Sequence, residues 1–302
     1  MRLRRALAAL LLAAPLAACA AAPPPRRADG CTMERVAALP LHDARNFMLV
    51  PVRLNGRAAL FVVDTGAEAS TLTPQAAQAL HLPADPNHGS VLLGISGPVR
   101  THDVRVHRME IGDVVRTDQT FGLGEMPAFP GQHLPVVGLL GTDVLSQYEV
   151  ELDLPGGRMS LYVPHGCTAV APWPDAVAVP FARTRTGLAF VDAVVDGNTV
   201  RALLDTGART TLLARETAAS VGVSAAALAD DPPRIGIGIG MGNVDFRQHR
   251  FAELGLPGAL ERNMPANVAE MRLPGVAMLL GADYLGPRRL WISYATGRLF
   301  LR

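Results

Sequence analysis

Two copies of the triplet Asp-Thr-Gly are the residues of this sequence best suited to catalysis. They are Asp64-Thr65-Gly66 and Asp205-Thr206-Gly207, and each follows an apolar stretch directly. Glycine lets the backbone turn tightly at a strand end, and threonine offers a hydroxyl that can bond to the other copy. If the two carboxyl groups meet, they share one proton. One oxygen can then accept a proton from water while the protonated partner supports a developing oxyanion.

A lone aspartate in such a triplet is also typical of a turn in which the carboxylate caps its own loop. The repetition of a larger unit argues against that alternative. The block LLGTDVL at 139–145 is matched by LLGADYL at 279–285, at nearly equal distances from the two aspartates. A Thr-Leu pair also follows each triplet, at Thr71-Leu72 and at Thr211-Leu212. We therefore interpret the chain as two copies of one structural unit.

Alternating apolar and polar residues predict that both copies consist mainly of strands. Each copy ends in a predicted hairpin, with glycine turns at Gly156-Gly157 and at Thr296-Gly297. Earlier hairpin turns are indicated by Asn55-Gly56 and by Gly197-Asn198. One short helix is expected in each copy, over 74–80 and over 214–221. The predicted fold class is all-β, with short helices.

Both copies resemble the retropepsin-type aspartic peptidase unit, through Asp-Thr-Gly-Ala and the later apolar-apolar-Gly block. The resemblance implies a bilobal acid-protease fold, with two retropepsin-type β-barrel lobes in one chain. It implies an N-terminal lobe over 46–163, a linker over 164–180 and a C-terminal lobe over 181–302. Asp64 and Asp205 would be catalytic, and the residues supporting their loops would be Thr65, Gly66, Thr206 and Gly207. Where the viral pattern has Arg after the block glycine, this chain has Thr142 and Ala282.

The same resemblance implies a hairpin, or flap, over the cleft of each lobe. The flap candidates are Gly94, Ile95, Ser96 and Gly97 in the first copy, and Gly236, Gly238 and Gly240 in the second. Glycines alternating with apolar residues leave one strand face as nearly bare backbone, which suits hydrogen bonding to an extended peptide. An ordinary glycine-rich surface hairpin is the alternative. A phosphate-binding loop is not indicated, because Gly-x-Gly-x-x-Gly is not matched.

The N-terminus has the pattern of a bacterial lipoprotein signal over 1–18. Three arginines precede an apolar run that is too short to span a bilayer, and the run ends in Leu16-Ala17-Ala18-Cys19. Acylation of Cys19 would anchor the chain to the lipid bilayer through a tether over 19–45. Ala20 favours the outer membrane over the inner, with the protein facing the periplasm. A simple signal peptide with an incidental cysteine is the alternative.

The remaining cysteines, Cys31 and Cys167, would then lie in an oxidising compartment, where a disulfide between them is expected. Two separate buried thiols are the alternative.

Composition excludes several classes of function. All 28 basic residues are arginine, so no lysine can serve a Schiff base, a Ser/Lys dyad or a phosphate loop. The net charge is only +1 and falls when the N-terminal arginines are removed, which argues against a nucleic-acid partner. His-Glu-x-x-His and Cys-x-x-Cys do not occur, so neither a metal nor another cofactor is expected.

The sequence therefore predicts a monomeric, lipid-anchored aspartic endopeptidase that acts on peptide or protein substrates in the bacterial envelope. The alternative is a non-catalytic envelope lipoprotein that binds peptide or glycan in the same cleft. Ala67 and Ala208 occupy positions where pepsin-like enzymes typically have Ser or Thr, whose hydroxyl would stabilise the ionised carboxylate. Their presence predicts a mildly acidic optimum, at roughly pH 4.5–6.5.

Overall fold

The computed structural model describes residues 31–166, 172–238 and 242–302. This part of the chain consists mostly of strands, with five short helices, and forms two similar β lobes. The predicted all-β, bilobal fold class is confirmed.

The N-terminal half contains eleven strands and two helices. In chain order they are β1 (Thr32–Pro40), β2 (His42–Asp43), β3 (Met48–Leu54), β4 (Arg57–Val63), β5 (Thr71–Leu72), α1 (Pro74–Ala79), β6 (Ala84–Gly94), β7 (Gly97–Ile111), β8 (Val114–Leu123), β9 (Val136–Leu140), α2 (Thr142–Leu145), β10 (Glu149–Asp153) and β11 (Arg158–His165).

Ten strands and three helices are described in the C-terminal half. They are β12 (Val177–Arg183), β13 (Ala189–Val195), β14 (Asn198–Leu204), β15 (Leu212–Ala214), α3 (Arg215–Ser220), α4 (Ala225–Asp230), β16 (Pro233–Ile237), β17 (Asn243–Leu256), β18 (Ala259–Ala269), β19 (Met278–Leu280), α5 (Ala282–Leu285), β20 (Arg289–Ser293) and β21 (Arg298–Leu301).

The strand order positions the two Asp-Thr-Gly loops in the same way. In the N-terminal lobe, β9 lies between β4, to which it is parallel, and β5, to which it is antiparallel. In the C-terminal lobe, β19 lies in the same way between β14 and β15. Each Asp-Thr-Gly loop therefore begins at the end of a strand, β4 or β14, that lies beside a parallel strand. The backbone N–H of each aspartate continues this pairing, since Asp64 donates to Leu140 and Asp205 to Leu280, both at 3.0 Å.

Six neighbouring strands of a thirteen-stranded sheet join the two lobes, in the order β1-β11-β10-β20-β21-β12. The centre of these six strands is the antiparallel pair β10 and β20, with Glu151 opposite Trp291. Each lobe contributes its C-terminal hairpin and one outer strand. The outer strands are β1, within the segment expected to be anchor and tether (19–45), and β12, which begins within the expected linker (164–180).

The local predictions are confirmed with small corrections. Helices α1 and α3 form where one helix per copy was expected, and Thr73 caps α1 by accepting a hydrogen bond from Ala76 N. The sequence missed α2, α4 and α5. The second hairpin turn is Asp196-Gly197 rather than Gly197-Asn198, because Val195 already pairs with Asn198. Asp196 and Gly197 have the positive φ values, 45° and 79°, that a tight hairpin turn requires.

Cys31 is 3% exposed and is bonded in a disulfide. Cys167 and the lipidation candidate Cys19 lie outside the described residues, so the Cys31–Cys167 pairing and the acylation stay predictions. Within the described ranges, no helix is long and apolar enough to cross a membrane.

Candidate active site

The ends of β4 and β14 bring the two Asp-Thr-Gly triplets together at the contact between the lobes. Asp64 and Asp205 are 8% and 9% exposed, and the threonine that follows each is fully buried. Carboxyl groups at this depth are expected to be paired or hydrogen-bonded. Here each aspartate meets the other, and each receives backbone donors from its own loop.

Reciprocal hydrogen bonds between the two threonines fix the position of the loops. Thr65 Oγ1 donates to the carbonyl oxygen of Leu204, and Thr206 Oγ1 donates to that of Val63, both at 2.7 Å. Each Oγ1 also accepts the other threonine's backbone N–H, at 3.1 Å in both directions. The four bonds cross between the lobes and are related by an approximate two-fold axis. They support the loop-supporting role proposed for Thr65 and Thr206.

The glycines of the triplets make room for the carboxyl groups. A side chain at Gly66 would overlap the Asp205 carboxyl group, and one at Gly207 would overlap that of Asp64. Each glycine thus packs against the opposite aspartate. Their backbone N–H groups bond to their own aspartates, from Gly66 to Asp64 Oδ1 at 2.9 Å and from Gly207 to Asp205 Oδ1 at 3.0 Å.

Burial raises the pKa of both aspartates. For Asp64, burial and then the nearby charge of Asp205 raise the pKa well above its ordinary value. For Asp205, burial raises the pKa to about 6, although hydrogen bonds from Ala208 N and Gly207 N oppose the rise. A hydrogen bond between the two carboxyl groups favours the proton on Asp64 and the charge on Asp205. The pair therefore shares a proton near neutral pH.

Both flap candidates form hairpins. In the first, Gly94 pairs with Gly97 around a turn at Ile95-Ser96. In the second, β16 and β17 form the arms, and Gly238 N donates to Gly242 O at 3.2 Å. Gly240 lies outside the described residues.

The tip of the first hairpin lies against the described residues that flank the turn of the second. A side chain at Gly238 would meet Ile95, and one at Gly242 would meet Ser96. Arg272 N also donates to Ile95 O at 3.2 Å. Contrary to the expectation of a bare glycine face, the ring of Phe246 covers Gly236. Glycine is needed in the second hairpin because side chains from its own partner strand and from the first hairpin pack against it.

Two apolar walls flank the aspartates. The N-terminal wall surrounds Val62, two residues before Asp64, and its partly buried members are Ala44, Phe47, Met126, Phe129, Leu134, Val136 and Leu139. The C-terminal wall surrounds Leu203, two residues before Asp205, and its partly buried members are Ile95, Leu188, Phe190, Ala208, Met271, Leu273 and Val276. In the described ranges, no group of three or more His, Cys, Asp or Glu side chains could hold a metal ion.

Two family models match the chain, one in each lobe. Residues 50–144 match an aspartyl protease family, and residues 191–287 match the aspartyl protease family of gag polyproteins. Each match contains one Asp-Thr-Gly triplet, and together they span most of the described chain. Both lobes of the chain are therefore similar to aspartyl proteases.

A retropepsin-like aspartic protease from Rickettsia conorii, known from its crystal structure, is 21% identical to this aspartyl protease homologue. The alignment covers 42% of this chain and 91% of that one, with a TM-score of 0.34. No curated protein matches the chain.

One hydrogen-bonded pair of side chains in each lobe of this aspartyl protease homologue was not predicted from the sequence. Asp143 Oδ1 accepts hydrogen bonds from Ser70 N and Ser70 Oγ, both at 2.8 Å. Asp283 Oδ1 accepts the same two bonds from Thr211, also at 2.8 Å. The residue equivalent to Thr211 is therefore Ser70, and the matching of Thr71 with Thr211 was wrong by one position.

These pairs connect each Asp-Thr-Gly loop to the apolar-Gly block behind it. Ser70 Oγ accepts from Gly141 N at 3.0 Å, and Thr211 Oγ1 accepts from Gly281 N at 3.1 Å. Burial raises the pKa of Asp143 and of Asp283. The hydroxyl at this position and the aspartate two residues after each block glycine are the sequence signal that could have identified them.

Proposed function

We propose that this chain is an aspartic endopeptidase that hydrolyses peptide bonds with a water molecule activated between Asp64 and Asp205. One observation carries the proposal: the two carboxyl groups are buried together, each packed against the glycine of the other's loop, and held by the reciprocal bonds of Thr65 and Thr206. A pair that shares one proton supplies both an acid and a base to the same water molecule.

The asymmetry of the pair suggests how the proton moves. Asp205, the ionised member, accepts a proton from water as the water oxygen forms a bond to the carbon of the peptide carbonyl. Asp64, the protonated member, donates its proton toward the carbonyl oxygen, where negative charge develops. Proton transfer to the leaving nitrogen then lets the C–N bond break and leaves a carboxylic acid and an amine. Backbone donors at Gly207 and Ala208 stabilise Asp205 as the base.

The surroundings of the dyad favour an extended, partly apolar peptide as the substrate. Partly buried apolar side chains stand on both sides of the aspartates, so residues next to the scissile bond can bury apolar surface there. Gly238 and Gly242 of the second hairpin lie against the tip of the first. The two hairpins would have to separate before an extended peptide enters, and would then offer it backbone hydrogen bonds.

Incubation of the purified chain with a mixed peptide library, read by mass spectrometry, tests this function. New peptide termini are expected with the wild type and not with Asp64→Asn/Asp205→Asn, which retains the shape of the site. If the wild type leaves the library intact but retains peptides or glycans on a column, the chain is a binding protein and the proposed function is wrong.

The proposed location is the bacterial envelope, with Cys19 acylated and the two lobes paired within one monomer. Acylation requires the thiol, so Cys19→Ser should move the protein from the membrane fraction to the soluble fraction or leave it unprocessed. A variant that stays membrane-bound and fully processed would contradict the lipid anchor without affecting the proposed chemistry.

A further inference from the structure

Equivalent positions beside the two aspartates carry opposite charges. Glu68 follows Asp64 by four residues, and Arg209 follows Asp205 by four residues. The reciprocal threonine bonds relate the two loops by an approximate two-fold axis that passes through the dyad. Residues at equivalent positions therefore lie on opposite sides of the dyad. Glu68 and Arg209, both exposed, place a negative and a positive charge on the two sides.

Each of these side chains is held by a loop of the opposite lobe. Glu68 Oε1 accepts a hydrogen bond from Thr186 Oγ1 at 2.9 Å. Thr142, which stands where the viral pattern has Arg, donates from its Oγ1 to Thr186 O at 2.8 Å. These contacts place Glu68 at the edge of the C-terminal wall, which includes Leu188.

Arg209 is held on the other side in a matching way. Its Nε donates to Arg45 O at 3.1 Å, and its guanidinium group lies 5.7 Å from the centre of the Phe47 ring. Asn46 Nδ2 donates to Arg209 O at 3.3 Å. Phe47 belongs to the N-terminal wall and packs against Phe129 with ring centres 5.0 Å apart. Arg209 therefore lies at the edge of the N-terminal wall.

These contacts fix the two side chains without neutralising them. Over the ranges that the structure describes, neither Glu68 nor Arg209 forms an ion pair with a charged side chain. The segments that hold them carry charges of their own, Asp43 and Arg45 on the segment that holds Arg209, and Arg183 and Arg185 on the segment that holds Glu68. Within the two Asp-Thr-Gly loops themselves, the charges at equivalent positions are those of Glu68 and Arg209.

We propose that Glu68 and Arg209 orient the substrate in the cleft. The preferred substrate is an extended peptide with apolar residues at the scissile bond, a basic side chain on one side of that bond and an acidic side chain on the other. The basic side chain lies near Glu68 and the acidic one near Arg209, so the peptide binds preferentially in one direction. This inference rests on the proposed function and deepens it.

The size of the effect follows from the exposure of both groups. Exposed ion pairs contribute little individually, but reversing a peptide exchanges two attractive contacts for two repulsive ones. We expect about a tenfold difference in kcat/KM between the two orders of charge at low ionic strength. Because exposed charges are screened by salt, kcat/KM should become nearly equal for the two orders of charge at about 0.5 M salt.

Two peptides of identical composition test the proposal, one with Arg before and Asp after the same apolar core, the other with the two exchanged. A third peptide carries Gln at both positions. The wild type should prefer one charged order, Glu68→Arg/Arg209→Glu should prefer the other, and Glu68→Gln/Arg209→Gln should show no preference. Asp113→Arg/Arg262→Asp, which exchanges exposed charges on the β7–β8 and β17–β18 hairpins, is the matched control and should behave as the wild type does.

Equal cleavage of both charged peptides by the wild type would overturn the orientation while leaving the proposed function intact. A preference that survives unchanged in both Glu68/Arg209 double variants would overturn it as well. If no peptide is cleaved, the proposed function fails separately. In that case the affinities of the two charged peptides for the wild type are measured instead. Equal affinities would overturn the orientation as well.

Discussion

Thr65 and Thr206 hold one another across the contact between the lobes, each through its hydroxyl and its backbone N–H. Each hydroxyl also donates to the carbonyl oxygen of the residue that precedes the opposite aspartate, at Val63 and at Leu204. Both hydroxyls are therefore fully used in bonds that cross between the lobes. The relative position of Asp64 and Asp205 depends on these four bonds.

Removal of either hydroxyl should weaken both the fold and the site. Thr65→Ala or Thr206→Ala leaves buried backbone groups without partners, which typically costs about 1–3 kcal/mol for each such group. We expect a lower free energy of unfolding, measured in urea, and at least about a tenfold lower kcat/KM. Thr65→Ser and Thr206→Ser keep the hydroxyl and should restore most of both quantities. Serine variants as impaired as the alanine variants would show that the methyl group matters more than the bonds.

The meeting of Asp64 and Asp205 and the fold class could be predicted because they depend on local and repeated patterns. Asp64 and Asp205 each follow an apolar strand within matching units, and the matching itself predicts that they meet. Helix α1 is also local, since it begins with Pro74 after the capping residue Thr73.

The sheet that joins the lobes could not be predicted in the same way. The alternation in β10 predicts a strand with a polar face, but Glu149 and Glu151 are only 3% and 2% exposed. Trp291 Nε1 donates to Glu149 Oε2 at 2.9 Å, and Arg289 Nε donates to Glu151 Oε1 at 2.8 Å. Trp291 and Arg289 lie in the other lobe, so the burial of this face depends on a long-range pairing that no local pattern reveals.

The equivalence of Ser70 and Thr211 was missed for a different reason. The identical pairs Thr71-Leu72 and Thr211-Leu212 suggested an alignment that is displaced by one residue. The structure instead aligns the hydroxyls by what they bind, namely Asp143 and Asp283. Ser and Thr donate equally well through their hydroxyls, so either residue can make the same hydrogen bond at this position.

The pH dependence of catalysis should reflect the raised pKa values of the pair. Below about pH 6 Asp205 becomes protonated, and the pair then has no base. At higher pH Asp64 loses its proton, and the pair has no acid. The profile of kcat/KM against pH should therefore be bell-shaped, with its acid limb near pH 6. This places the optimum at or above the upper end of the range expected from the sequence.

Ala67→Ser with Ala208→Ser checks the origin of this profile. Each new hydroxyl can donate to a carboxylate and favour its charged form, so the acid limb should move to lower pH. An acid limb of the wild type near pH 3, or an unchanged limb in the double variant, would show that other groups control the titration.

Stability should also depend on the charge of the pair. The pKa of Asp205 is about 6 in the folded chain against an ordinary value of 3.8, so folding favours its protonated form. The stability that this group contributes is present below pH 3.8 and is lost as pH rises through about 6. Relative to Asp64→Asn/Asp205→Asn, the wild type should lose at least about 2 kcal/mol between pH 4 and pH 7, since the pKa of Asp64 is raised as well and adds to the loss. Urea unfolding at the two pH values measures this difference, and parallel changes in both proteins would contradict it.

The most direct test of the account is kcat/KM for Asp64→Asn and for Asp205→Asn, on one peptide that the wild type cleaves. Because a single shared proton requires both carboxyl groups, each variant should fall below about 1% of the wild-type value, and the double variant should fall no further. Circular dichroism should show that both variants remain folded. Retention of more than a few per cent of activity by either folded variant would contradict catalysis by the Asp64–Asp205 pair.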